Sequence, residues 1–379
     1  MKRAALLLVL VAASCSAPAA APASASPSTT ATSAPSTTPS ATATATPPAS
    51  ATASDPARYG YVNASAGRIA VRAERSTDVI LAIAGEQPAA SRDGKRIAFW
   101  RTGPSGSNPQ ELRIVDVPGG AEQRLTSLAA GFAGGAIVWS NDGNGLLYEV
   151  HSTDLFPGAG GGPKSSRLES FDLLATQAPG ATDSALMLTN GNVFVPLAWD
   201  KAGQLATALV TGEGGFGLGY VTWDRRTQPA GASAVKRTQF PWQVVAFTVQ
   251  ASPDATLLLA IDGAANVLRI WPAADITKAD QVAPGAARIT DAQWRPGVRP
   301  DVAWVLDDQN VGVFTNQTSS VGTIYRGQSQ VRLLSWRVDG SGLVLNEFGK
   351  GVLVVDRATL QVTALPHLGA VIAGAVLLK

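Results

Sequence analysis

The chain has 379 residues, of which 15% are charged, and it contains 38 glycines, 24 prolines, two histidines and one cysteine. Lys and Arg number 30 against 28 for Asp and Glu, too small a basic excess for a nucleic-acid binder, which must displace counterions from phosphates. A lone cysteine excludes an internal disulfide, and two histidines give little material for a zinc site.

The first residues read as an export signal. Lys2 and Arg3 supply the positive end, Ala4 to Ala13 form an apolar run too short to span a bilayer, and Ala12-Ala13-Ser14 offers small residues for processing. Cys15 follows at once. Ala12-Ala13-Ser14-Cys15 resembles the lipobox of bacterial lipoproteins, which implies a signal peptide over 1–14 and a diacylglycerol on the Cys15 thiol. Each buried acyl methylene contributes about 0.8 kcal/mol, so two or more chains anchor stably. The resemblance therefore implies an exported protein held at the outer face of the cytoplasmic membrane or at the outer membrane. Loss of Lys2 and Arg3 leaves 28 basic and 28 acidic residues.

From Ser16 to Ser54 there is no charged residue and little besides Ala, Ser, Thr and Pro. Such a segment buries too little apolar area to offset its ordering entropy, so 15–57 is read as a lipidated cysteine on a disordered tether. Its root-mean-square reach is on the order of 35 Å.

A repeated phrase organises residues 58–379. It first reads Ala90-Ser91-Arg92-Asp93-Gly94-Lys95-Arg96-Ile97-Ala98-Phe99 and returns as Trp139-Ser140-Asn141-Asp142-Gly143-Asn144-Gly145-Leu146-Leu147-Tyr148. An apolar stretch, a Ser-x-Asp-Gly turn and a second apolar stretch spell a β-hairpin. Looser copies centre on Asp200, Ser252, Arg295 and Arg337, each followed by material for two more strands. In the first copy these are Glu111 to Val117 and Glu122 to Thr126, around Pro118-Gly119-Gly120. This spacing, about the length of four strands, argues for an all-β propeller with one repeat per blade. The pattern Trp-Ser-x-Asp-Gly, then Ile-Val-Asp-x-Pro-Gly-Gly and Arg-Leu-Thr, resembles the propeller repeats of the TolB and WD40-like group, and those of prolyl-oligopeptidase-type peptidases. Arg68 to Arg72, Asp78 to Ile83 and the run 369–378 supply strands without a complete repeat. Joined, they make a seventh, composite four-stranded blade closed by both termini; six blades result if they only extend their neighbours.

The chemistry-bearing residues are sparse. Trp139, Trp199, Trp294 and Trp336 hold equivalent repeat positions and are read as packing between blades. Asn141, Asp142 and Asn144 crowd one loop but lack calcium-loop spacing, so the turn reading is preferred. Gly-x-Ser-x-Gly is absent, and no cofactor or metal is implied. The loops between second and third strands are long in the first copies, and long loops on a rigid scaffold concentrate binding residues. Arg101, His151, Asp154, Phe156, Lys164, Glu213 and Phe216 are the candidate contacts. The expected function is a monomeric, membrane-anchored envelope lipoprotein whose non-catalytic propeller binds a protein, peptide or glycan. The alternative is a hydrolase or lyase with its active site in the central channel.

Overall fold

The computed structural model describes residues 59–65, 68–73, 79–101, 110–155, 157, 162–174, 183–188, 191–211, 217–224, 235–245, 248–283, 285–297, 301–314, 321–365 and 375–377. Cys15, Phe156, Glu213 and Phe216 lie outside them. Residues Asp55–Lys379 make one compact unit.

The described residues form seven four-stranded antiparallel sheets, six of which follow the chain directly. Sheet 1 runs Glu86–Ala90, Arg96–Arg101, Glu111–Asp116, Gln123–Ser127, and sheet 2 runs Phe132–Trp139, Gly145–Ser152, Ser166–Asp172, Asp183–Leu188. Sheet 3 comprises Val193–Asp200, Leu205–Thr211, Gly217–Asp224 and Val235–Gln239; sheet 4 comprises Gln250–Ala251, Leu257–Asp262, Val267–Pro272 and Asp280–Val282. Sheet 5 is Ile289–Trp294, Val302–Leu306, Asn310–Phe314 and Val321–Arg326, and sheet 6 is Val331–Trp336, Gly342–Glu347, Gly351–Asp356 and Val362–Ala364. The closing sheet joins the two ends of the chain, in the order Ala375–Leu377, Tyr59–Ser65, Arg68–Ala73, Val79–Ala84. Its clasp pairs Gly60 with Leu377, Tyr61 with Val376 and Val62 with Ala375.

Each sheet packs on the next, sheet 6 on the closing sheet and the closing sheet on sheet 1, so the sheets form a closed ring. Both faces of a sheet are therefore covered, and the second strands read as continuous apolar runs rather than alternating ones. Leu146, Leu147, Tyr148 and Val150 are all fully buried, with alternate residues serving opposite neighbours. Leu147 packs towards Phe194 and Trp199 of sheet 3, while Leu146 and Tyr148 pack towards Trp100 of sheet 1. Trp294 and Trp336 likewise fill the interfaces between sheets 4 and 5 and between sheets 5 and 6. The expected role of these tryptophans in packing holds.

The Ser-x-Asp-Gly phrase makes the turn between first and second strands. In sheet 1 the Ser91 hydroxyl donates to Asp93 Oδ1 at 2.6 Å and accepts from Arg96 N at 2.9 Å, and Asp93 Oδ1 also accepts from Lys95 N. Gly94 sits at φ +69°, Gly143 at +71° and Gly340 at +69°, the left-handed region that glycine enters without steric cost. In sheet 4 the same position is Ala255, at φ +64°. The third copy differs: its positive φ falls on Gln204, and Asp200 Oδ1 accepts from Gly203 N instead.

Candidate functional site

First strands form the inner edge of the ring, so their turns converge on its axis. There a cavity of about 360 Å³ opens, walled by residues of all six repeat sheets. Its sides are Ala89 and Ala90 of sheet 1, Ile137 to Trp139 of sheet 2, Leu197 to Trp199 of sheet 3, Ala251 of sheet 4 and Trp336 of sheet 6. Its rim carries Arg92, Asn141, Pro253, Pro296 and Val338. These five are the variable residue of the turn phrase in five of its six copies. Where the repeat is complete, Ser, Asp and Gly shape the turn and the remaining residue lines the shared mouth.

The polar groups here are mostly committed to structure. Ser252 Oγ donates to Asp254 and accepts from Leu257 N, repeating the Ser91 arrangement, and Ser140 Oγ donates to Asp142. Asn141 ties three sheets together. Its backbone N donates to Trp199 O, its Nδ2 to Asp200 Oδ1, and its Oδ1 accepts from Lys201 N, while its own carbonyl accepts from Arg92 Nη1 at 3.1 Å. Arg92 is exposed and is the one charged residue of the wall. Among the described residues that line the cavity there is no Asp, Glu, His or Cys, and its serines are each bonded to the aspartate of their own turn.

Antiparallel pairing puts the loops between second and third strands at the opposite end of the ring. Arg101 ends the second strand of sheet 1, with Nη2 2.6 Å from Glu122 and Nε donating to Ala84 O. Asp154 and Lys164 pair with each other at 3.1 Å across the sheet 2 loop, which a Leu155–Pro163 bridge also closes. His151 Nδ1 lies 2.9 Å from Glu149 Oε2, and this hydrogen bond raises the imidazole pKa above its ordinary value against the opposing effect of burial. Glu149, 3% exposed, also accepts from Ser166 Oγ at 2.7 Å, and Ser166 accepts from Phe194 N. Ser166 thus donates to a carboxylate rather than to the imidazole, so the trio is a buried brace and not a nucleophile with its base. Among the described residues no group of three or more His, Cys, Asp or Glu is placed to hold a metal ion.

No family model matches the chain, and no curated protein matches it in sequence. Its fold does match solved structures. The propeller domain of the Trilobed protease from Pyrococcus furiosus superposes with a TM-score of 0.52 at 14% identity, covering 79% of this chain and 89% of that one. The chain is a β-propeller. Oligogalacturonate lyase from Vibrio parahaemolyticus is similar at TM-score 0.54 and 11% identity over 77% of this chain and 87% of that one. AztD from Citrobacter koseri, in its apo form, is similar at 0.53 and 10%, over 85% and 97%. At these identities the likeness extends to the fold alone.

Of the residues singled out from sequence, Arg101, His151, Asp154 and Lys164 lie at the loop end of the propeller and none lines the axial cavity. The residues that do line it were read from sequence as turn formers, such as Ser91, Asn141 and Ser252, or as packing, in the case of the tryptophans. A signal was available: the turn phrase keeps Ser in three of its six copies and Asp in four, while its second residue varies through Arg, Asn, Lys, Pro and Val.

Proposed function

We propose that this propeller is a non-catalytic binding scaffold of the cell envelope, lipidated at Cys15 and held off the membrane by the segment that follows, taking a protein, peptide or glycan ligand. One observation carries the reading: the axial cavity is concave, mostly apolar and sparing in polar groups, as ligand sites are, and the serine hydroxyls in its wall are each bonded to the aspartate of their own turn. The lipobox-like Ala12-Ala13-Ser14-Cys15 supports the anchor, and anchoring raises the local concentration of the scaffold near envelope partners.

The test is crosslinking and recovery of the full lipoprotein from its own envelope, beside Cys15→Ser and Val338→Trp variants. The Cys15→Ser protein should leave the membrane fraction; unchanged fractionation overturns the anchor. Val338→Trp, which fills the mouth, should lose the partner. Deletion of 152–165 in its place having that effect moves the contact to the loop end. Turnover of a polysaccharide or peptide by the unmodified protein, abolished by Val338→Trp, overturns the non-catalytic reading.

A further inference from the structure

The axial cavity combines two features that packing alone does not require. Its body is apolar, formed by side chains such as Ile137, Leu197 and Ala251. Among the described residues its rim has a single cation, Arg92, whose Nη1 donates to the Asn141 carbonyl, leaving other N–H groups of the guanidinium turned to solvent at the mouth.

We propose that the cavity binds a small amphipathic monocarboxylate, with its apolar body inside the ring and its carboxylate on Arg92. Charge decides against a cation, because no acidic side chain lines the wall to receive one. It also favours an anion over a neutral molecule, since a guanidinium at the edge of an apolar cavity forms stronger, charge-assisted bonds than it does in open water. The volume, about 360 Å³, is at the small end of ligand pockets and suits a single chain or ring rather than a folded surface. This deepens the scaffold reading and rests on it only in taking the cavity as a ligand site.

Decanoate and the neutral decan-1-ol are the probes, titrated calorimetrically into the full chain carrying Cys15→Ser so that no detergent competes. One decanoate should bind per chain, about tenfold or more tightly than decanol. Arg92→Gln should remove that preference while leaving decanol binding as it was, and Val338→Trp should abolish both. Equal affinity for the two probes, decanoate binding indifferent to Arg92→Gln, or no binding of decanoate overturns the proposal. A partner recovered through the channel mouth together with no decanoate binding sinks this inference and leaves the scaffold reading standing. Decanoate binding with no partner recovered does the reverse.

Discussion

The two ends of the propeller are built on different terms. At the turn end, sheets 1, 2 and 4 use the same parts, a serine hydroxyl and an aspartate carboxylate that together fill the turn's backbone donors. At the loop end each connection is held by private pairs, Arg101 with Glu122, Asp154 with Lys164, His151 with Glu149. Repetition fixes the backbone of the turn end and frees one residue per turn to face the axis. The loop end has no shared device, so each loop must be explained separately.

Breaking the turn end should cost more than breaking the loop end. Trp199→Ala, which empties the interface between sheets 2 and 3 beside Asn141, should lower stability by about 3–5 kcal/mol in chemical denaturation. Ser91→Ala removes an almost fully buried hydroxyl bonded to both Asp93 and Arg96 N and should cost about 1–3 kcal/mol. That deficit is pH-dependent. Burial pushes the Asp93 carboxyl up, but the Ser91 hydroxyl, the Lys95 amide and the Arg96 charge outweigh it and hold the pKa below the usual 3.8. A depressed carboxylate stabilises the fold above its unfolded value and loses that contribution as pH falls through the folded one, so the gap between Ser91→Ala and the unmodified protein should narrow below about pH 4.

The loop end titrates in the opposite sense. Because Glu149 raises the His151 pKa above 6.5, the stabilisation is complete below that value and lost as pH rises through the higher folded one. Denaturation midpoints from about pH 6 to about pH 9 should show this decline, and His151→Gln should flatten it. A slope that survives His151→Gln would assign the titration elsewhere. Lys164→Ala should be the mildest of the set: both members of its ion pair are more than half exposed, and the change should stay within about 0.5 kcal/mol. A larger loss would mean that the sheet 2 loop is held by more than its bridge and its local pairs.

Much of the fold was legible because the turn chemistry is local. Ser91, Asp93 and Gly94 act within five residues of one another, so their spacing in the sequence already states their geometry. Tyr59–Ser65 was not read as a strand because it follows no such turn; it is identified by pairing with Arg68–Ala73 and, from the far end of the chain, Ala375–Leu377. The cavity was hidden for the same reason on a larger scale. Arg92 and Val338 share its rim although 246 positions separate them in the chain, and only ring closure makes them neighbours. The long loops drew attention instead because length is visible in a sequence, whereas convergence on an axis is not.

The mouth of the channel is assembled from single letters, one from each of five turns, set in a backbone that the other letters of the phrase already hold in shape. Such a site can be rewritten combinatorially. Variation at 92, 141, 253, 296 and 338 forms a small alphabet of rims, and four of these positions sit where the turn asks little of the side chain. Asn141 is the exception, because its side-chain amide also bonds the turns of sheets 3 and 4. A library confined to the other four should change what the ring admits far more readily than whether it folds, which makes this end of the molecule a natural place to engineer, or for selection to have engineered, a new specificity on an old frame.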